Sequence, residues 1–232
     1  KEQTERGVNG PEAVRFQVRE NRRFGAGVIK VCATGGVFSK NTEPGQQQMT
    51  FEELKAAADE AHMLGLKVAA HAHGAEGIKA AIRAGIDTIE HASLIDEEGL
   101  RLAKERGAWL SMDIFNTEFT QSEGKATGAL EENLRKDREV AQVQRDNFRK
   151  AVRMGVRQVF GSDAGVMPHG TAGGQFATMV QYGMTPLQAI QAATLNAAEA
   201  LGQKGQVGTL KPGAWADMVA VKGDPLADIR EL

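Results

Sequence analysis

Residues 66–91, LKVAAHAHGAEGIKAAIRAGIDTIEH, constrain the fold more tightly than any other stretch of the chain. Residues 66–70 form a short apolar run, the pattern of a strand buried on both faces. The run ends in His71-Ala72-His73-Gly74. A helix follows, with Ile78, Ala81, Ile82 and Ala84 on its inner side and Gly85 as its stop. Residues 86–90 make a second short strand, which ends in His91. Two successive parallel strands that both finish in histidine place imidazoles at the same end of one sheet. In parallel barrels that end carries the chemistry. Strand-end imidazoles converge on a shared mouth, so a metal or catalytic role is expected of them.

The rest of the chain repeats this alternation. Strands are expected at about 28–32, 66–71, 87–91, 108–112 and 157–162, with helices between them. The first contains Lys30 inside an apolar run and leads into Ala33-Thr34-Gly35-Gly36, backbone suited to close packing. Long polar loops at 37–49, 113–128 and 166–174 all follow strands, whereas the helix-to-strand turns are short and glycine-rich. That asymmetry belongs to the active face of a (β/α)8 barrel. Five strands do not close a barrel of eight. The chain is therefore an open doubly wound sheet, or a barrel with three strands upstream of residue 1. Loop 37–49 reads as a lid or substrate loop. His62 lies on a helix opened by the Thr50–Glu53 capping box, away from any strand end, and reads as a surface or packing residue. The helix at 129–154 should bury Leu134, Val140, Val143, Phe148, Ala151 and Val152 and turn its charged run to solvent. Two helices follow at about 175–183 and 186–201. Beyond 204 the texture becomes turn-rich, and a short strand at 216–221 would belong to another sheet.

Four strand ends thus carry Lys30, His71 with His73, His91 and Asp163. Imidazole and carboxylate donors at one mouth indicate a divalent metal, and neutral histidine suits zinc. An ammonium is a poor neighbour for a cation, but a lysine carbamate is an anion with two oxygens that could bridge two metals. Hydroxide held between two metals would attack a carbonyl. Asp163 is placed to take its proton and pass it to a leaving amine. The bulk numbers exclude other classes. A net charge of −2 gives no electrostatic case for nucleic acid or an anionic membrane. No apolar run approaches the roughly 18–20 residues that span a bilayer. A single cysteine, Cys32, excludes an intramolecular disulfide. Residue 1 is Lys, so a signal peptide is not in view, and a soluble protein of either cytoplasmic or exported location is expected.

The ordered pieces VIKVCATGG, VAAHAHG, IEHAS, GSDAG, MTPLQAIQAATLNAAEALG and GTLKPGAWADMVAVKGDP resemble the amidohydrolase superfamily, metal-dependent hydrolases on a (β/α)8 barrel. Within it the chain is similar to the imidodipeptidase and Xaa-Pro dipeptidase-like group, which includes carboxypeptidases and ochratoxin-degrading amidohydrolases. The resemblance implies that residues 1–203 are the C-terminal five strands of the barrel and 204–232 a partial return into a small β-sandwich domain. It implies two divalent metals, most simply zinc, with Lys30 as the carboxylated bridging lysine, His71 and His91 on one metal, and Asp163 on the other and as acid/base. His73 would polarise the scissile carbonyl or stabilise the oxyanion. His169 would contact a substrate carboxylate or serve as a structural loop residue. The family's first-strand His-x-His pair has no counterpart here, because His71-Ala72-His73 follows the lysine strand. The chain is accordingly expected to be the C-terminal part of a longer, homo-oligomeric enzyme acting on a small molecule or dipeptide. The expected reaction is hydrolysis of an amide that releases a C-terminal amino acid, from a dipeptide, an N-acyl amino acid or an ochratoxin-like amide. Two alternatives stay open: a mononuclear deaminase on the same barrel, which would lack the lysine and carry Glu where Gly74-Ala75 stand, and a metal-free binding relative.

Overall fold

Alternating apolar runs and amphipathic helices produce a single parallel sheet flanked by helices. The computed structural model describes residues 7–232. Its strands are β1 (Val28–Cys32), β2 (Lys67–Ala72), β3 (Thr88–His91), β4 (Trp109–Ser111) and β5 (Gln158–Val159), paired in that order and all parallel. The first helices are α1 (Pro11–Arg23), α2 (Phe51–Met63), α3 (Ala75–Ala84) and α4 (Glu97–Arg106). They are followed by α5 (Asn116–Glu123), α6 (Glu131–Met154), α7 (Gly174–Gln181), α8 (Pro186–Ala193) and α9 (Leu195–Ala200). Five consecutive strand–helix units of a (β/α)8 barrel are present.

The pleat sorts side chains between two faces. Ile29, Val68, Ala70, Ala72, Ile89 and Leu110 point outward and are buried among Leu54, Ala58, Ile78, Ala81, Ile82, Leu100 and Phe148 of the helices. Lys30 lies on the opposite face, in register with Ala69, while Cys32 aligns with His71 and His71 with Glu90. Left-handed glycines at Gly85, Gly107 and Gly155 stop α3, α4 and α6. The Thr50 hydroxyl accepts from the Glu53 N–H, and a Glu53 carboxylate oxygen accepts from the Thr50 N–H, so the predicted capping box opens α2.

Several expectations need correction. The loop at 113–128 contains α5. β5 has two residues instead of six, because the Phe160 N–H leaves the ladder and donates to the Ala192 carbonyl. The helix expected over 186–201 breaks at Thr194, whose hydroxyl donates back to the Ile190 carbonyl. No strand forms at 216–221; Met218 and Val219 are exposed, and a strand persists only where another strand pairs with it. Beyond 203 the described backbone is turns, one isolated bridge between Lys204 and Val207, and a 3-10 turn at Ile229–Glu231. His62 is exposed on α2, as expected, and its Nε2 lies 2.7 Å from Asp87 Oδ2. Asp87 also accepts from the Lys67 ammonium and the Val68 N–H, joining α2, β2 and the turn before β3. Burial alone would raise the Asp87 carboxyl, but the Lys67 and His62 bonds outweigh it and hold the group below its ordinary value.

Two predictions follow from these contacts. At Gly77, an added Cβ would lie 2.3 Å from Thr34 Cγ2, where α3 passes over the end of β1. Gly77→Ala should lower stability by about 1–3 kcal/mol through overpacking. Urea unfolding should show a reduced midpoint with an unchanged slope. A depressed carboxyl stabilises above its unfolded pKa of about 3.9 and loses that contribution as pH falls through the folded value. Wild type should therefore exceed Asp87→Asn in stability at neutral pH, and the gap should close below about pH 4.

Candidate metal centre and active site

The register of the ladder delivers the site. β2 ends at His71-Ala72-His73, β3 ends at His91, and Ala72 aligns with His91. The three imidazoles pack together: His71 and His73 centroids are 4.8 Å apart, and each lies 4.6 Å from His91. Donor atoms of His71, His73 and His91 all fall within 4.8 Å of one another, as do those of His91, Asp113 and Asp163. Two overlapping donor groups thus share His91. Both His91 and Asp163 hold positive φ, 70° and 49°, a conformation that costs a non-glycine residue and concentrates at functional sites.

Charge explains how these rings coexist. Burial first, and the neighbouring His91 second, push His71 down to about 4. Burial and the two other imidazoles push His73 well below its ordinary value. Burial would lower His91 too, but the Asp113 carboxylate 3.0 Å from its Nδ1 outweighs this and raises it. Burial opposes ionisation of Asp113, yet His91 overcomes it and holds the carboxyl well below the usual range. Partial burial and the Asp113 charge raise Asp163. Neutral imidazoles with free lone pairs beside two carboxylates form a donor set that fits a divalent cation. His71 and His91 would hold one such cation and Asp163 a neighbouring one. The Asp113 bond fixes the His91 ring from behind, the arrangement that orients metal-ligating histidine.

Lys30 sits on the inner face of β1 and makes no hydrogen bond or ion pair among the described residues. Its charge is near enough to oppose protonation of His71 and His91 and to favour the Asp163 carboxylate. The glycines after β1 meet the site directly. An added Cβ at Gly36 would stand 2.9 Å from His71 Cε1 and Nε2, and the His73 N–H donates to Thr34 Oγ1. His73 Nδ1 lies 2.8 Å from Ser93 Oγ. Gly36, His71, His73 and Ser93 border a cavity of about 180 Å³ that also touches Phe38, Asn116, Thr120, Asp137, Val140 and Gln144. His169 lies apart from the imidazole cluster, exposed in a 3-10 turn. It lines an outer cavity of about 780 Å³ that shares Phe38, Thr120, Asp163 and Val166 with the inner one.

Sequence reasoning missed Asp113, Gln144 and Asp137. Asp113 lies two residues past the buried β4, close to the strand-end signal that singled out the histidines, but it opens a segment read as a polar loop. Gln144 and Asp137 belong to α6, read as a solvated charged helix. Leu134, Val140, Phe148 and Ala151 are buried as expected, but Asn133, Lys136, Asp137, Gln144 and Asn147 are buried beside them and Val143 is exposed. Gln144 Nε2 donates to Asp113 Oδ1 and to the His91 carbonyl, and Asn147 Nδ2 donates to the Ser93 carbonyl.

Residues 3–232 match the amidohydrolase family, and the chain belongs to it. Ochratoxinase from Aspergillus niger is 38% identical over 230 residues, covering 96% of this chain and 46% of the relative. The crystal structure of a Xaa-Pro dipeptidase with methionine in its active site superposes with a TM-score of 0.90 at 41% identity, covering 97% of this chain and 55% of that one. A prolidase complexed with N-methylphosphonate-L-proline gives 0.91 at 35% identity, with coverage of 96% and 54%. The chain spans about half the length of these relatives. They place it in the imidodipeptidase-like part of the amidohydrolase superfamily.

If Asp113 orients His91, Asp113→Asn in the full-length protein should weaken metal binding about 10–100-fold, read by competition with a chromophoric chelator. Gly36→Ala should weaken it as well, because His71 must rotate away from the new methyl group.

Proposed function

We propose that this chain supplies the catalytic half of a metal-dependent hydrolase that cleaves an amide or peptide bond and releases a C-terminal amino acid. Dipeptides, N-acyl amino acids and ochratoxin-like amides fit that description. The carrying observation is the pair of donor groups hinged on His91, at the strand ends of an amidohydrolase-family barrel. The names of the relatives, an ochratoxinase and two proline-directed dipeptidases, support the bond type. A pair of divalent cations, most simply zinc, would supply Lewis acidity and an activated water when bound.

The chain's own residues account for the remaining steps. His71 presents a neutral ring and His91 the ring nitrogen left free by its Asp113 bond, and Lys30, as a carbamate, would add two anionic oxygens on the same sheet face as His71. Asp163 stands at the mouth on a carboxyl raised by burial and by Asp113, suited to accept a proton and return it to the leaving amine. His73 is kept neutral by burial. With the Ser93 hydroxyl donating to Nδ1, its other ring nitrogen carries hydrogen and polarises the substrate carbonyl. His169, on the outer cavity, is placed for the carboxylate of a longer substrate. A deaminase is disfavoured on a specific contact. The first glutamate after the β2 histidines, Glu76, is turned outward to pair with Lys79 at 2.7 Å.

Metal-loaded full-length enzyme should cleave members of a panel of dipeptides and N-acyl amino acids. Asp163→Asn should abolish most turnover, and His73→Ala should cost about 10²–10³-fold, the usual loss of one oxyanion donor. Lys30→Ala and Lys30→Arg should both lose metal and activity, since guanidinium cannot become a carbamate. Full metal content in Lys30→Ala, or ammonia release from cyclic amidines without amide cleavage, would refute the proposal.

A further inference from the structure

The imidazole of His91 reaches the mouth against the alternation of its own strand. Ile89 is fully buried under the helices, and Thr88 and Glu90 lie on the other face of β3. By that period His91 belongs with Ile89, and the register aligns it with Ala72, which is also on the helix side. Its ring nevertheless packs against His71 and His73. The reversal is made by two consecutive left-handed residues, His91 at φ 70° and Ala92 at φ 48°. Neither is glycine, so the turn is a strained conformation that persists only where its surroundings hold it.

Two kinds of group hold it. Main chain holds the amide side: the Ala92 N–H donates to the Ala72 carbonyl at 3.0 Å, and the Leu94 N–H to the His73 carbonyl at 2.9 Å. Side chains of α6 hold the carbonyl side. Gln144 Nε2 donates to the His91 carbonyl and Asn147 Nδ2 to the Ser93 carbonyl, both at 3.0 Å. The two residues are three apart, on one face of the helix, and both are buried. They grip the chain on either side of Ala92, which is itself fully buried. Ser93 places its hydroxyl 2.8 Å from His73 Nδ1, so the same turn sets two of the three rings.

We infer that Gln144 and Asn147 are positioning residues: a two-point clamp on the left-handed turn 91–93 that swings His91 to the metal side of the sheet. The inference rests on the metal-site reading of the strand-end imidazoles. The two members are separable. Gln144 also donates to Asp113, whereas Asn147 bonds to the turn and, through its oxygen, to Lys150. Loss of the Asn147 amide therefore disturbs the turn without touching the carboxylate behind His91. A clamp on strained backbone also predicts a rescue. Glycine adopts left-handed φ readily, so Ala92→Gly should reduce the need for holding.

The test uses the full-length protein. In its metal-free state, amide hydrogen exchange over residues 91–94 should be about tenfold faster in Asn147→Leu and in Gln144→Met than in wild type, with exchange over 108–110 unchanged. Competition against a chromophoric chelator should show zinc bound about tenfold more weakly by Asn147→Leu. Adding Ala92→Gly to that variant should bring zinc affinity back to within about threefold of wild type. A lowered Tm with wild-type exchange and wild-type zinc affinity would show that the two amides only satisfy buried carbonyls, and it overturns the clamp. A loss of affinity that Ala92→Gly leaves unrepaired overturns it as well. Should wild type bind no zinc, the metal reading fails and exchange alone decides: faster exchange over 91–94 upholds the clamp, and unchanged exchange overturns it. Should Asn147→Leu not fold, Gln144→Met decides by the exchange measurement, with the same two outcomes.

Discussion

The parallel register between β2 and β3 is the constraint on which the rest depends. Ala72 aligned with His91 brings the ends of two strands level, so His71, His73 and His91 meet above the sheet. A shift of one residue would reverse the pleat of β2 and send His71 to the helix-covered face, whereas His91, in phase with Ile89, reaches the mouth through the positive φ of 70° that ends β3. The apolar alternation prevents this: Val68, Ala70, Ala72 and Ile89 must all lie under helices for the core to close. The hydrophobic pattern that builds the fold thereby also sets the positions of the polar atoms.

Placing three imidazoles within contact imposes an electrostatic condition. They cannot share protons without repulsion in a site shielded from water, and burial already disfavours the charged forms. The structure resolves this unequally. His71 and His73 stay neutral, while His91 has Asp113 behind it and is the ring best able to carry charge. Gln144, reaching across from α6, donates to the same Asp113 oxygen and keeps the carboxylate in place. His91 is thus held at its ring by Asp113 and at its carbonyl by Gln144, and it is the residue common to both donor groups.

Residues whose chemistry coincided with a periodic signal were legible in the sequence. His71 and His91 stand at the ends of expected strands and meet at one mouth, and β1 to β4 each lay within one residue of their expected ends, whereas β5 stopped three residues early. Residues that reach the site from segments without such a signal were not legible. Asp137 and Gln144 lie in a helix so rich in charge that its buried stripe cannot be told from its solvent face by hydrophobicity. What buries them is a polar cavity and not an apolar core. The apolar residues near 216–221 failed in the opposite sense. Their composition is that of a strand, but β structure requires a hydrogen-bonding partner, which no periodicity within one segment can supply.

The loop at 37–49, read as a lid, depends on α6 as well. Asn133 Nδ2 donates to the Val37 carbonyl, the fully buried Lys136 donates to the Ser39 carbonyl, and Arg135 pairs with Glu43 at 2.8 Å. One helix therefore anchors the loop that carries Phe38 over the cavity, lines that cavity with Asp137 and Val140, and reaches the metal-side carboxylate through Gln144. Gln144 lies two to three turns along α6 from the loop anchors at 133–136, so the cover of the site and the support of its histidines rest on the same helix. Asn133, Lys136 and Gln144 each form a bond there that an aliphatic side chain could not, while Leu134, Val140, Phe148 and Ala151 supply the buried apolar part of the same helix.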